Sequence, residues 1–568
     1  MSVGLKIDSL KFSDGCVVDC SQSNVIIITG PNNAGKSRTL MEIQQCVLSS
    51  PSSIADGKVL KSIEVQRFGS EQGFWDLMKE SGTNHPTNQN TLLVGYRNGT
   101  TAVAPGTWPA QPGSEFNNFF FQLLTAGDRI HLADAIQSIH FGQQPKTQAL
   151  HYLHQDEVFL KKFSNYCAKA FGVEVGFDPY GGPQVSLHIG KDAAPTENEQ
   201  ATSKVYRARL NVLPKIEEQG DGIRSFVGLT LHCLPSHKTL TLIDEPEAFL
   251  HPPQAKLMAN FLVDEQSENN QLVFATHSID ILLGVLASSN AKILIIRLQR
   301  VNNVSRASTL SADEIKLVWS DPTLRYSNIL NGLFHEKVII CEAEGDCRFY
   351  NAMADAIRSV SDHPHVKDVL FTPAGGKAAM PKLVKALKKL DVPVCVAVDF
   401  DIFRDINQFK RLLGAFELAY SDFAESYDII RHAIDHLGTK ANRDVKTDII
   451  NELEKLDMDS NQVPRKISDN IRSFLKPGIG WSKAKQVGIG ILSPGVQMQA
   501  GMSLIDRLAT NNILIVSTGE LESFVPSETS DKNEWVNNIL EKYVGSLESA
   551  DELKAARDFT AKLLRKRL

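Results

Sequence analysis

Apolar residues recur along the chain in short unbroken runs closed by glycine, proline or acidic residues, the pattern of strands buried on both faces of a parallel sheet. The first such run, Val25-Ile26-Ile27-Ile28, leads into a glycine turn and a helix beginning near Lys36. From about 72 to 200 the pattern changes to aromatic-rich stretches that read as helices, Phe116 to Leu124 and Tyr152 to Phe171, broken by turn-rich segments. An α/β pattern returns over 205–300, with a helix from Ile223 to Leu234 and strands from Leu240 to Ile243 and Gln271 to Ala275. A second series opens at Glu336, with strands from Lys337 to Cys341, Val369 to Thr372, Val392 to Val398 and Ile513 to Val516. The expected organisation is one unit in two parts, 1–71 and 205–334, around a mostly helical insertion at 72–204 that is a candidate dimerisation element. A second unit follows at 335–526, with its own helical insertion at about 405–490, and a helical tail runs over 527–568.

With 568 residues, and about 150 residues per compact unit, the chain is multidomain. Its 42% hydrophobic and 22% charged residues place it among globular proteins and exclude a largely disordered or coiled-coil chain. The net charge of −6 announces no nucleic-acid binder, so any such surface must be local. The apolar runs fall well short of the ~20 residues that cross a bilayer. No membrane association and no secretory signal are expected, which implies a cytoplasmic protein. The eight scattered cysteines read as core thiols.

Gly30-Pro-Asn32-Asn33-Ala-Gly35-Lys36-Ser37 satisfies G-x-x-x-x-G-K-[ST] between a strand and a helix. In that context backbone N–H groups and the helix N-terminus can cradle phosphates, Lys36 can reach the β- and γ-phosphates, and the Ser37 hydroxyl can ligate Mg2+. Asp244-Glu245-Pro-Glu-Ala-Phe-Leu-His251 ends an apolar strand, so Asp244 suits the Mg2+ shell and Glu245 the water-polarising base. Ala275-Thr-His277-Ser ends another strand with a histidine that could meet a γ-phosphate.

This order resembles the ABC-type ATPase head of the SMC and RecF proteins, and the Asp244 and His277 motifs are especially similar to those of OLD (overcoming lysogenization defect) nucleases. The resemblance covers about 1–70 and 205–300. It implies a signature segment that completes the partner subunit's nucleotide site, and Gly220-Asp-Gly222-Ile-Arg224-Ser225 lies where that segment should, although it departs from Leu-Ser-Gly-Gly-Gln. A polar helix cap is the alternative reading. For the Q-loop glutamine, Gln66 is the nearest candidate.

Two acidic clusters close strands of the second series: Glu342-Ala343-Glu344-Gly-Asp346, and Asp399-Phe-Asp401. Sites in α/β sheets sit at the carboxyl ends of strands, and paired Mg2+ ions held by carboxylates can stabilise both the attacking and the leaving oxygen of a phosphodiester. An isolated Asp-x-Asp is more often a solvated loop. In this chain the order Glu342-x-x-x-Asp346, Ala374-Gly-Gly-Lys377, Asp399-x-Asp401 resembles a TOPRIM domain, and Ser517-Thr-Gly-Glu520 resembles its last acidic element in OLD proteins. Ala343 stands where the family has glycine, which leaves Glu344 as a rival register to Glu342. The resemblance implies that Glu342, Asp346, Asp399, Asp401 and Glu520 hold metal and that Lys377 contacts the scissile phosphate. Lys377 also reads as the first basic residue of a Lys-rich amphipathic helix.

The implied fold class is α/β: an ABC-type ATPase domain with a helical insertion, then a Rossmann-like TOPRIM domain with a helical insertion and a helical C-terminal tail. The implied function is that of an ATP-regulated, Mg2+-dependent DNA endonuclease, at least homodimeric, acting in antiphage defence. Mn2+ is an alternative ion at the second site. Partners implied by the family are a helicase, or a retron reverse transcriptase with its RNA–DNA product. The rival readings are a nuclease acting on RNA such as tRNA and an ATP-dependent scaffold with an inactive TOPRIM fold. Val463 to Gln486, with Arg465, Lys466, Arg472, Lys476, Lys483, Lys485 and Trp481, is a candidate phosphate-tracking surface as well as a solvated helix face.

Overall fold

The computed structural model describes residues 3–49, 54, 57–85, 88–96, 99–106, 108, 114–140, 143–153, 156–178, 180–196, 199–200, 203–233, 238–289, 291–301, 304–325, 328–360, 367–437, 442–456, 464–474, 480–528 and 532–565. The chain divides into two compact units at Leu317/Val318.

In the first unit a six-stranded sheet runs in the order Val304–Leu310, Ile293–Val301, Val25–Thr29, Gln271–Ala275, Leu240–Asp244, Phe121–Leu124. All neighbours are parallel except the hairpin Ile293–Val301/Val304–Leu310. Val25–Thr29 and Gln271–Ala275 are buried along their whole length, which is why they read as continuous apolar runs. An antiparallel sheet of Gly4–Phe12, Val17–Asp19 and Leu60–Phe68 shares the same core. Gln271 ties the two together: its buried Oε1 accepts from Ile7 N at 2.8 Å and its Nε2 donates to Ser23 O at 2.9 Å. Glu42, on the helix Lys36–Ser49, is a buried carboxylate that accepts the N–H groups of Lys58, Val59 and Leu60 at 2.8 to 3.2 Å. It thereby satisfies the backbone that enters Leu60–Phe68.

The segment expected to be a mostly helical insertion carries strand as well as helix. Thr83–His85, Asn88–Tyr96 and Gly99–Val103 form an antiparallel sheet. The stretch Phe116 to Leu124, read as one helix, splits into the helix Ser114–Phe120 and the strand Phe121–Leu124, which pairs in parallel with Leu240–Ile243. The stretch is too short, and its polar residues Asn117, Asn118 and Gln122 too irregularly placed, to carry a clear 3.6-residue or two-residue signature, and burial against the sheet decides its conformation. Gln66 lies at the edge opposite the glycine turn. It lines a cavity of about 620 Å3 with Lys6 and with Asn24, Gln271 and Lys292, the last three at or just before the amino-terminal ends of strands of the six-stranded sheet.

The second unit is built on a parallel sheet in the order Val369–Pro373, Lys337–Cys341, Val394–Asp399, Ile513–Val516. One face is covered by Glu344–Val360 and by the C-terminal helices Lys532–Lys542 and Lys554–Leu564. Trp535, Ile539 and Leu563 are buried in the same cluster as Ile339 and Ala397, so these last helices belong to the core and are not an appended tail. The buried Lys337 ammonium donates to Leu563 O at 2.7 Å and fastens the final helix to the first strand of this sheet. The 405–490 segment is helical where it is described, with Ile406–Ala415, Ala424–Asp435, Asn442–Leu453, Arg465–Phe474 and Gly480–Val487.

Replacing Glu42 with leucine leaves the buried N–H groups of Val59 and Leu60, and that of Lys58, without their acceptor. The expected loss is about 3 kcal/mol for the first unit, read as a lower denaturation midpoint with the second unit's transition unmoved.

Candidate functional site

The carboxyl ends of the first sheet bring most of the sequence-predicted nucleotide residues together. Gly30 (φ +140°) and Gly35 (φ +105°) occupy backbone conformations that side chains rarely adopt, and a Cβ on Gly30 would stand 2.2 Å from Leu298 O. Asn33 is also left-handed, at φ +61°, and Asn32 is exposed in the same turn. Lys36 Nζ donates to Gly30 O at 2.8 Å and Pro31 O at 3.0 Å, so its ammonium is folded into the loop it closes. Ser37 Oγ donates to Asp244 Oδ1 at 2.9 Å, which pairs the two residues expected to share a divalent ion. Burial raises the Asp244 pKa, and neighbouring Glu245 adds to the rise against Ser37 and Arg129. A bound cation would relieve that cost.

Glu245 has φ +47°, a conformation costly for a residue with a side chain, and its N–H donates to Ala275 O at 2.8 Å. The turn is held from below by Arg129, which is fully buried and donates Nη2 to Glu245 O at 2.6 Å. Arg129 Nη1 has no hydrogen-bond partner among the described residues. Burial lowers its pKa, opposed by Glu247, Asp244 and Glu245. Sequence reasoning missed Arg129 because it lies 116 positions away; the one local sign is the capping box at Thr125 and Asp128 that opens its short helix. Glu247 was also missed. It accepts Thr276 Oγ1 at 2.9 Å and His277 N at 3.0 Å and lies 3.1 Å from His277 Nδ1, whereas Glu245 stands 3.9 Å from that nitrogen. His277 is thus oriented by Glu247.

Gly222 lies in the first turn of Asp221–Cys233, where a Cβ would meet the backbone of Phe249, its O at 2.8 Å. Arg224 pairs with Asp134 at 2.9 Å. The close approach to Phe249 seats the segment against the turn after Asp244, and the Arg224 pair ties it to the turn that carries Asp134.

In the second unit, Glu342, Asp399 and Asp401 offer ligand oxygens that all lie within 4.8 Å of one another. Glu342 and Asp399 end adjacent parallel strands, and Asp399 N donates to Glu342 Oε1 at 2.9 Å. Glu344, the rival, is exposed in the first turn of the following helix and is not one of the trio. Asp346 is buried and accepts from Ala343 N at 2.9 Å. Glu520 pairs with Lys485 at 2.8 Å. Neither of these two is in the trio.

Lys377 stands between the carboxylates, 3.2 Å from Glu342 Oε2 and in closer contact with Asp401 Oδ1. Burial works against its charge, but Glu342 and Asp401 outweigh it and push its pKa up. The turn that presents it has Gly375 (φ +73°) and Gly376 (φ +112°), with Gly376 N bonded to Glu342 O at 2.9 Å. An ammonium bridging two carboxylates is the charge arrangement that a divalent cation would take over, so the trio fits such an ion.

Lys485, noted in the sequence only as part of a basic stretch, is placed here by close backbone packing. A Cβ at Gly519 (φ +124°) would stand 2.2 Å from Lys485 O, and Ile489 N donates to Ser517 O at 2.8 Å. The Glu520 bond and the fields of Asp401 and Asp399 raise its pKa against burial. Of the same stretch, Lys483 is exposed and Trp481 Nε1 donates to Asp435 at 2.6 Å; Lys476 and the side chains of Arg465 and Lys466 lie outside the described residues. No helix among the described residues is long and apolar enough to cross a membrane.

Residues 196–283 match the family described as "AAA domain, putative AbiEii toxin, Type IV TA system", and residues 333–401 match "Overcoming lysogenization defect protein-like, TOPRIM domain". The chain is 24% identical over 251 residues to the Old nuclease of Escherichia phage P2, a match covering 40% of this chain and 42% of that protein. It thus spans less than half the length of that curated relative. Similar solved structures include an SmcHead bound to the C-winged helix domain of ScpA, at 14% identity and TM-score 0.33 over 56% of this chain and 100% of the other. Another is the SMC head domain from Thermotoga maritima, at 14% identity and TM-score 0.28 over 55% and 100%. The chain therefore joins an ATPase-type domain to an OLD-like TOPRIM domain.

If Arg129 holds the left-handed turn at Glu245, its replacement by methionine should leave nucleotide affinity within about threefold while lowering the steady-state ATPase rate on the order of a hundredfold. A variant that loses nucleotide affinity and turnover in proportion would show that Arg129 supports the fold of the site and not the position of Glu245.

Proposed function

We propose that this protein is an ATP-regulated, Mg2+-dependent endonuclease acting on DNA, and that it serves as an antiphage defence effector. The observation that carries the nuclease part is the carboxylate trio Glu342, Asp399 and Asp401 bridged by Lys377 at the ends of two parallel strands. Hard divalent ions bound there would polarise a phosphodiester and lower the pKa of an attacking water. The chain's own residues divide the remaining work. Glu342 also accepts the Asp399 N–H and so fixes the strand ends against each other, while Lys377, once displaced from the carboxylates, presents an ammonium to a phosphate oxygen. Asp346 and Glu520 complete the metal-binding set in this reading, through the helix start and through the loop after Ile513–Val516. Mn2+ could replace Mg2+ here.

At the first unit, Gly30, Asn32, Asn33, Gly35 and Lys36 would cradle the ATP phosphates, with Ser37 and Asp244 holding Mg2+. Glu245 acts as the base, His277 meets the γ-phosphate, and Gly222 contributes to the nucleotide of a second copy in a homodimer or larger assembly. The nuclease reading is supported by the similarity to the Old nuclease, and the preference for DNA and the defence role rest on the resemblance of the Asp244, His277 and TOPRIM motifs to the OLD family. Within defence systems the partner would be a helicase, or a reverse transcriptase with its RNA–DNA product.

Asp399→Ala and Glu342→Ala should each lower Mg2+-dependent nicking of plasmid DNA by at least about a hundredfold while keeping ATPase activity near the wild-type value. Glu344→Ala should remain active. Lys36→Ala should abolish ATP binding by calorimetry. Cleavage of RNA but not DNA would redirect the substrate to RNA, and cleavage by Asp399→Ala at the wild-type rate would remove the TOPRIM site as the nuclease centre.

A further inference from the structure

Beside the acidic trio the second unit holds a cavity of about 560 Å3, within the ~300–1,000 Å3 typical of ligand sites, lined among others by Lys377, Asp401, Arg404, Asp405 and Arg431. Its charges are unevenly spent. Asp401 is engaged by Lys377, and Asp405 accepts the N–H groups of Asn407 and Gln408 at 2.8 and 3.2 Å as the N-cap of Ile406–Ala415. Arg431 donates Nε to Asp435 Oδ2 at 3.2 Å. Arg404 closes the short turn Phe400–Arg404, is exposed, and its side chain forms no hydrogen bond or ion pair among the described residues.

An arginine three positions after a metal-type aspartate would ordinarily be drawn onto it. Here Lys377 already occupies the carboxylates, and Arg404 is left facing the cavity without a counter-ion. A guanidinium presents a planar fork of donors matched to phosphate oxygens. A second guanidinium, Arg431, lines the same space, and Lys377 would add a third cation once a divalent ion takes its place. We propose that this cavity seats the phosphodiester adjacent to the one that is cut, with Arg404 as its principal contact and Arg431 as the second. The occupant is the backbone of a nucleic-acid strand. This assignment rests on the nuclease reading and names how that centre holds its substrate.

The test is fluorescence anisotropy of the full chain with end-labelled DNA and RNA oligonucleotides, single- and double-stranded, in Ca2+ so that binding is read without relying on cleavage. Arg404→Ala should weaken binding roughly tenfold and lower the slope of log affinity against log salt by about one, with Arg404→Lys recovering part of both. Arg404→Glu should weaken binding further, and all three variants should melt with the wild type, because the side chain is exposed and unbonded. Equal affinity and equal salt slope in wild type, Arg404→Ala and Arg404→Glu would overturn the assignment while leaving a cutting enzyme a nuclease. A wild type that binds with the Arg404-dependent slope but cuts nothing in Mg2+ or Mn2+ would sink the nuclease reading and keep the phosphate contact. Failure of the wild type to bind either nucleic acid overturns both.

Discussion

Carboxylates gathered at the carboxyl ends of two parallel sheets are the constraint around which the molecule is arranged. Three of them, Glu342, Asp399 and Asp401, lie within 4.8 Å of one another, and at an effective dielectric of ~20 each like-charged pair at that separation costs about 3 kcal/mol. That is a large fraction of a domain's net stability, so the chain must supply cations where the carboxylates meet. Lys377 does this in the second unit, and Arg129 answers the Asp244, Glu245 and Glu247 group in the first. The acids are therefore assembled but guarded: Lys377 stands among the carboxylates themselves, whereas Arg129 lies buried beneath the turn and acts on it through the Glu245 carbonyl.

The guards come from the segments that interrupt the two sheets as much as from the sheets themselves. Arg129 follows the edge strand Phe121–Leu124, inside what the sequence presents as an insertion, and reaches the Glu245 carbonyl from there. Lys485 ends the helical segment of the second unit and is pressed against Gly519 so that its ammonium meets Glu520. In both units the strand ends provide anions through local sequence, and the inserted segments return with the opposite charge. Arg404 differs in having been left unspent, which is why it points to a substrate and not to stability.

What was legible in the sequence was local. The glycine turn before Lys36, the acidic strand ends at Asp244 and Asp399, and the parallel runs between them all announce themselves within a few residues, because φ-positive glycines and buried strands have short-range signatures. The choice between Glu342 and Glu344 stayed open in the sequence, because Ala343 blurs the local register, and it is the pairing of Asp399 N with Glu342 Oε1 across neighbouring strands that sets Glu342 in the trio. What was not legible depends on long-range pairing. The conformation of Phe121–Leu124 is decided by Leu240–Asp244, the role of Arg129 by a carbonyl 116 positions away, and the place of the last two helices by burial of Trp535 and Leu563 against the sheet. Gln66 shows the same limit from the other side, for nothing near it in sequence indicates which edge of the sheet it will occupy.

Lys377 stands between Glu342 and Asp401, where a divalent cation held by the trio would have to displace it. Calorimetric titration of Mn2+ into nucleotide-free wild type, Lys377→Met and Glu342→Gln addresses this displacement most directly. If the ammonium competes with the ion, Lys377→Met should bind Mn2+ more tightly, on the order of tenfold, and Glu342→Gln should bind it much more weakly. Weakened binding in Lys377→Met, comparable to that in Glu342→Gln, would contradict the account.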